Sequence, residues 1–262
     1  MKVFVFQGGL GNQIFEYAFY KKQLENNPNL EYLFPVKSHN GFELNKWFDV
    51  TLNKASFLKK ILYIVALKLK EKKIFNLIAD KDQDPNDDNY FVTGFFQDKQ
   101  YFDNIDISFK EFNLSKANRE YLEQIKRTNS VAIHVRRGDY LQPPYDEIYG
   151  GICTSKYYQE ALEIIKGKLN DPVFYIFSND KDWVKNNMNI QNAIYIDCNT
   201  GMNSAIDLYL MAHAKANIIA NSSFSFWGAY LNSRKPFVVY PKKWFKSKYI
   251  APNIFPSDWL GI

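Results

Sequence analysis

The second half of the chain alternates between short apolar runs and stretches of helical spacing. Val131 to Val135, Val173 to Phe177, Ala193 to Ile196, Ala216 to Ala220 and Pro236 to Tyr240 read as strands. Helices are expected over Lys156 to Leu169, from Asp180, over Ser204 to Ala214 and from Asn221-Ser222. Strands separated by helices form a parallel sheet wrapped by those helices. The chain opens in the same manner. Lys2-Val3-Phe4-Val5-Phe6 runs into Gln7-Gly8-Gly9-Leu10-Gly11-Asn12-Gln13 and then into an apolar helical pattern, the strand, glycine turn and helix of a Rossmann-like unit. The expectation is an α/β protein with two Rossmann-like domains facing a central cleft, residues 1–128 and 129–262, joined near Thr128.

Ligands of open α/β sheets bind beyond the carboxyl ends of the strands, so the residues that leave those ends carry the functional argument. In Ser130-Val131-Ala132-Ile133-His134-Val135-Arg136-Arg137-Gly138-Asp139-Tyr140, period-two alternation puts Val131, Ile133 and Val135 on one face and His134 and Arg136 on the other. Arg137 follows, Gly138 permits a change of direction, and Asp139 adds a carboxylate. Guanidinium groups gathered at one strand end suit a planar, doubly charged anion such as a pyrophosphate. The plain alternative is an Arg137–Asp139 ion pair beside a core histidine. Ser222 and Ser223 lie between a buried strand and a helix, where hydroxyl and N–H groups receive phosphate oxygens or cap the helix. Backbone N–H groups around Gly11, and the side-chain amides of Asn12 and Gln13, offer a similar set of donors in the first half, although the glycines do not spell a dinucleotide fingerprint. Asp180-Lys181-Asp182 has the D-x-D form of some metal sites, yet at a helix start it reads as capping. Asp207 lies on a helix leading to the serine strand, where it either pairs with an N–H edge or faces solvent.

Composition narrows the class. With 46% hydrophobic and 17% aromatic residues the 262-residue chain fills real cores, and its 18 Tyr and 22 Phe are read as packing ahead of sugar stacking. A net charge of +5 favours anionic ligands, while no nucleic-acid-binding motif is present. Two cysteines, Cys153 and Cys198, neither build a disulfide scaffold nor show metal-ligand spacing. Met1 leads directly into a strand with no secretion signal, so a cytoplasmic protein is expected. The Lys-rich stretch 54–73 surrounds an apolar run too short to span a bilayer. It reads either as a solvated lysine face on a packed helix or as a peripheral contact with an anionic surface of the inner membrane.

Four motifs, taken together and in order, carry a resemblance. Gly8-Gly9-Leu10-Gly11-Asn12-Gln13-Ile14-Phe15, Gly94-Phe95-Phe96-Gln97, His134-Val135-Arg136-Arg137-Gly138-Asp139-Tyr140 and Asn221-Ser222-Ser223-Phe224-Ser225-Phe226-Trp227 resemble the successive motifs of bacterial α-1,2-fucosyltransferases, glycosyltransferase family 11. The resemblance implies a GT-B-type fold, an N-terminal acceptor-side domain and a C-terminal domain for GDP-β-L-fucose. It also implies inverting transfer to the 2-hydroxyl of a terminal galactose in a bacterial surface glycan, with no cofactor and no essential metal. It assigns the donor pyrophosphate to Arg136, Ser222 and Ser223, with Asn221 and Phe224 beside them. Guanine falls to Asp207, at the family's spacing before the serine pair, and a guanine or ribose contact to His134. Gly11, Asn12 and Arg137 join the substrate-binding set. The general base does not carry over, because Pro144 stands where related enzymes have a glutamate. Asp139 is the first candidate, Asp146 and Glu147 the next, and Asp139 alternatively orients Arg137. A non-catalytic carbohydrate- or nucleotide-binding module, and a fucosyltransferase of different linkage, are the competing readings.

Overall fold

The computed structural model describes residues 1–35, 39–84, 86–246 and 251–262. The chain divides into two compact units, Met1–Lys110 and Glu111–Ile262. Each has a parallel sheet, and the second unit's strands follow Rossmann order, the GT-B-type α/β build expected of the sequence. The division lies upstream of the expected Thr128. The reason is the helix Lys116–Arg127, which belongs to the second sheet: Ser130 Oγ at the start of that sheet's first strand donates to Ile125 O at 2.7 Å.

In the first unit β1 (Val3–Val5), β2 (Glu31–Leu33), β3 (Ile78–Asp80) and β4 (Phe91–Thr93) are arranged β2-β1-β4-β3. α1 (Leu10–Asn26) joins β1 to β2, α2 (Leu44–Trp47) and α3 (Phe57–Glu71) lie between β2 and β3, and α4 (Lys99–Phe102) follows β4. Alternation along β1 sorts its side chains. Val3 and Val5 pack with Tyr63 and Ala66 of α3, while Phe4 and Phe6 meet aromatic rings of α1, Phe4 with Phe19 and Phe6 with Tyr20. Phe19 stacks on Phe96 at 3.7 Å between ring centroids. The aromatic excess is therefore spent largely on packing, since Phe4, Phe6, Phe15 and Tyr20 are all fully buried.

In the second unit α5 (Lys116–Arg127) precedes β5 (Ser130–Val135), α6 (Ser155–Lys166), β6 (Val173–Ser178), α7 (Lys181–Asn187) and β7 (Ala193–Ile196). Then come α8 (Ala205–Met211), β8 (Ala216–Ile218), α9 (Ser223–Tyr230), β9 (Phe237–Tyr240) and β10 (Leu260–Gly261), the last not expected from sequence. The strand order is β10-β9-β8-β5-β6-β7, all parallel. Every residue of β5 is buried, as befits a central strand covered on both faces. Val131, Ile133 and Val135 share a core with Tyr158, Leu162 and Ile165 of α6. Hydroxyl and carboxylate caps start three of these helices: Ser115 accepts from Asn118 N, Thr154 from Tyr157 N and Asp180 from Trp183 N.

This order has one consequence for function. From β5 the chain winds outward through β6 to β7, then crosses back to place β8 on the other side of β5. The loops after β5 and β8 therefore leave in opposite directions and open a crevice at the carboxyl ends of the two strands. Ile133 pairs with Ile218, so Arg137 and Ser222 lie equally far past that level.

Candidate active site

At the end of β5, Arg136 and Arg137 diverge. Arg136 Nη2 donates to Asp139 Oδ2 at 2.8 Å, and its guanidinium lies 5.7 Å from the ring centroid of Tyr140. Arg137 takes a different carboxylate: its Nε donates to Asp180 Oδ2 at 3.0 Å, and its guanidinium covers Trp183 at 4.0 Å. The pairing of Arg137 with Asp139 considered from sequence is thus corrected. After Arg137 the chain enters a 3₁₀ turn (Gly138–Leu141), which brings Asp139 back beneath the residue three positions earlier. Asp180, from the D-x-D, serves as helix cap and as the partner of Arg137.

Gly138 leaves room for a close approach. A Cβ there would run into the side-chain amide of Asn179, the group whose Oδ1 accepts Arg137 N–H at 2.9 Å. Sequence reasoning missed Asn179 because its role depends on β6 lying next to β5.

His134 lies on the β5 face opposite Val131, Ile133 and Val135, buried, with the Phe224 ring 5.7 Å away. Burial, aided by the Arg136 charge, pulls its pKa down to about 3. The imidazole is neutral at physiological pH, and among the described residues its Nδ1 has no partner. Such a ring can hydrogen-bond a polar ligand group without carrying charge.

Beyond β8, Ser222 is the N-cap of α9, but its hydroxyl makes no capping bond to the helix, and Ser223 opens the first turn. The Tyr140 hydroxyl donates to Asn221 O at 3.2 Å and also meets the Ser222 side chain. Tyr140 therefore joins the arginine loop to the serine turn. Asn221, expected to touch substrate, has its side chain engaged internally. Its Nδ2 donates to Tyr149 O and Trp244 O, and its Oδ1 accepts from Cys153 Sγ at 3.4 Å. Asn221 is 2% exposed and acts as a positioning residue for the turn that carries Ser222. Burial pushes the Cys153 thiol up to about 12, so it remains protonated. Two further tyrosines absent from the sequence reading fix the strand ends from α6: Tyr158 donates to His134 O at 3.0 Å and Tyr157 to Ile219 O at 2.6 Å.

Asp207 lies in the first turn of α8. Burial raises its pKa to about 7, against the hydrogen bond from Asn199 Nδ2 at 2.7 Å, which favours the ionised form. Of the three carboxylates considered as base, Glu147 is exposed. Asp139 and Asp146 each keep one buried oxygen, Oδ1, without a partner among the described residues.

The first unit has its own loop cluster. Gly8, at φ +74°, makes the turn out of β1, and a Cβ on it would approach Asn12 Nδ2 to 2.8 Å. Asn12 Oδ1 accepts from Gln97 Nε2 at 3.2 Å, which joins the glycine turn to the loop after β4. Gly11 is buried in the first turn of α1. Gln13, read as a free amide, is instead structural: its Nε2 donates to Gly8 O and Gly41 O, and its Oε1 accepts from Glu43 N and Leu44 N. Beneath them the carboxylate of Glu16, raised in pKa by burial, accepts Gln7 N–H on both oxygens.

The chain is 31% identical to an alpha-1,2-colitosyltransferase of Escherichia coli, with 97% of the chain and 96% of that relative aligned. It is 29% identical to the O-antigen biosynthesis glycosyltransferase WbnK of Escherichia coli, over 97% and 98%. A galactoside alpha-(1,2)-fucosyltransferase 1 from Saimiri sciureus aligns with 50% of the chain and 38% of its own length at 29% identity. Residues 51–262 match the model described as glycosyl transferase family 11. With the arginine loop and the serine turn both inside that match, and relatives aligned over almost all of it, the chain belongs to glycosyl transferase family 11.

Proposed function

We propose that this glycosyltransferase moves L-fucose from GDP-β-L-fucose to the 2-hydroxyl of a terminal galactose in a bacterial surface glycan, with inversion. The observation that carries the reading is the junction of Arg136 with the Ser222 turn, through Tyr140, at the β5–β8 crevice. Cleavage of the fucose C1–O bond drives negative charge onto departing GDP. Arg136 and the hydroxyls and N–H groups of Ser222 and Ser223 stabilise that charge as it grows. Before the donor arrives Asp139 holds Arg136; in the complex the diphosphate takes the guanidinium and leaves Asp139 able to accept a proton. Asp207, once ionised, accepts the two N–H groups of the guanine edge, and neutral His134 contacts the nucleoside through Nδ1. The sugar passes through an oxocarbenium-like state while the galactose hydroxyl attacks the opposite face. The protein itself supplies the positive charge, so the step is written without a metal.

The alpha-1,2-colitosyltransferase favours a second reading of the donor, in which the transferred sugar is colitose, a fucose without its 3-hydroxyl. One assay separates the readings. Purified protein is given GDP-fucose or GDP-colitose with galactose-ended acceptors in EDTA, and products are read by mass spectrometry and linkage analysis. Fucose joined to O2 of galactose supports the proposal, and exclusive use of GDP-colitose reassigns the donor. Binding of either nucleotide without product points to a non-catalytic module.

A further inference from the structure

Helix α3 packs little of its apolar surface. Only Tyr63 and Ala66 are buried by it. Two neighbouring rows, Phe57-Ile61-Ile64 and Leu58-Leu62-Val65, lie side by side on the helix at i, i+3 and i+4 spacing. All six side chains are exposed, Phe57 at 73% and Leu58 at 76%. Just past the helix Ile74 and Phe75 are exposed as well, at 67% and 59%. Eight of the twelve exposed large apolar side chains among the described residues therefore fall in this one stretch, which is a patch and not ordinary scatter.

The charge around the patch has one sign. Between 54 and 75 there are seven lysines and a single acid, Glu71. Lys59 is paired with Glu31 at 2.7 Å and Lys70 donates to Ile78 O at 3.1 Å, both on the packed side. Of the other five, Lys54 precedes the helix, and Lys60, Lys68, Lys72 and Lys73 supply positive charge beside the apolar rows. A second copy meeting this face symmetrically would set lysines against lysines, so self-association is opposed. An anionic bilayer surface complements both components, with acyl chains receiving the aliphatic and aromatic side chains and lipid headgroups receiving the lysines. No helix among the described residues is long and apolar enough to cross a membrane, so α3 would lie along the surface.

We propose that α3 and the turn through Phe75 form a membrane-docking surface that binds anionic lipid headgroups and inserts Phe57, Leu58, Ile61 and Val65 at the interface. The full chain is tested by flotation with phosphatidylcholine vesicles, with and without phosphatidylglycerol. The expected result is flotation with the anionic vesicles only, weakened by salt. Each lysine near such a surface is worth about fivefold in binding. Lys68→Gln/Lys72→Gln/Lys73→Gln is therefore expected to lose on the order of a hundredfold. Leu58→Glu/Ile61→Glu, altering two exposed positions, is expected to lose flotation while turnover of a soluble acceptor is unchanged. Failure of the wild type to float with anionic vesicles overturns the proposal, as does flotation of both variants at wild-type levels. A dimer by sedimentation velocity that Leu58→Glu/Ile61→Glu dissociates, with no lipid binding, assigns the face to a second copy instead.

Discussion

Tyr140 donates its hydroxyl to the main-chain oxygen of Asn221 at 3.2 Å, which fixes the loop after β5 to the turn that starts α9. The same tyrosine ring lies beneath the Arg136 guanidinium. One side chain thus links both halves of the proposed diphosphate site, although neither half is close to the other in sequence. Tyr140→Phe keeps the ring and removes the bridge. It should lower stability by about 1 kcal/mol and raise KM for GDP-fucose more than it lowers kcat, as read by urea unfolding and initial rates. An unchanged KM would mean that the bridge does not set the donor site.

If Asp207 reads guanine as proposed, its raised pKa makes donor binding pH-dependent. Below about pH 7 the free protein holds a proton on this carboxyl, and the proton must leave before both oxygens can accept the guanine N–H groups. Affinity for GDP-fucose should therefore fall about tenfold for each pH unit below 7 and level off above it. GDP-fucose is the right probe because its phosphates do not titrate in this range. Calorimetry from about pH 5.5 to 8 gives the profile, and Asp207→Asn should bind weakly with no such slope. A flat wild-type profile contradicts the guanine assignment.

The Asp139 and Asp146 carboxylates separate by kinetics. Asp139→Asn removes the charge that holds Arg136 and also the first candidate proton acceptor. If Asp139 is the base, kcat should fall by about 10²–10⁴ with donor affinity nearly intact. A rise in donor KM alone assigns Asp139 to positioning Arg136. Loss of kcat in Asp146→Asn, with Asp139→Asn active, moves the base to Asp146.

Much of this arrangement was legible in the sequence because it depends on local pattern. The alternation along β5 placed His134 opposite Val131 and Ile133, and the strand-to-helix rhythm gave the parallel sheet of the second unit. Strands of three residues such as β2 and β3 hold too few alternations to be read, and β10 is shorter still. The partners of the site residues depended on strand order, which spacing does not encode. Asp180 reaches Arg137 because β6 adjoins β5, and Asn199 reaches Asp207 from a loop with no motif. The two units divide upstream of the expected Thr128 because α5 packs with the second sheet, a tertiary contact that spacing does not encode.

The central claim, that Arg136 carries the diphosphate of the donor, is tested most directly by calorimetric titration of GDP into the wild type and Arg136→Ala. Thermal unfolding of both proteins serves as the check on folding. The account predicts binding by the wild type and a loss of about 30-fold or more in a variant that still unfolds cooperatively. Equal affinity in the folded variant, or no binding of GDP by the wild type, would contradict it.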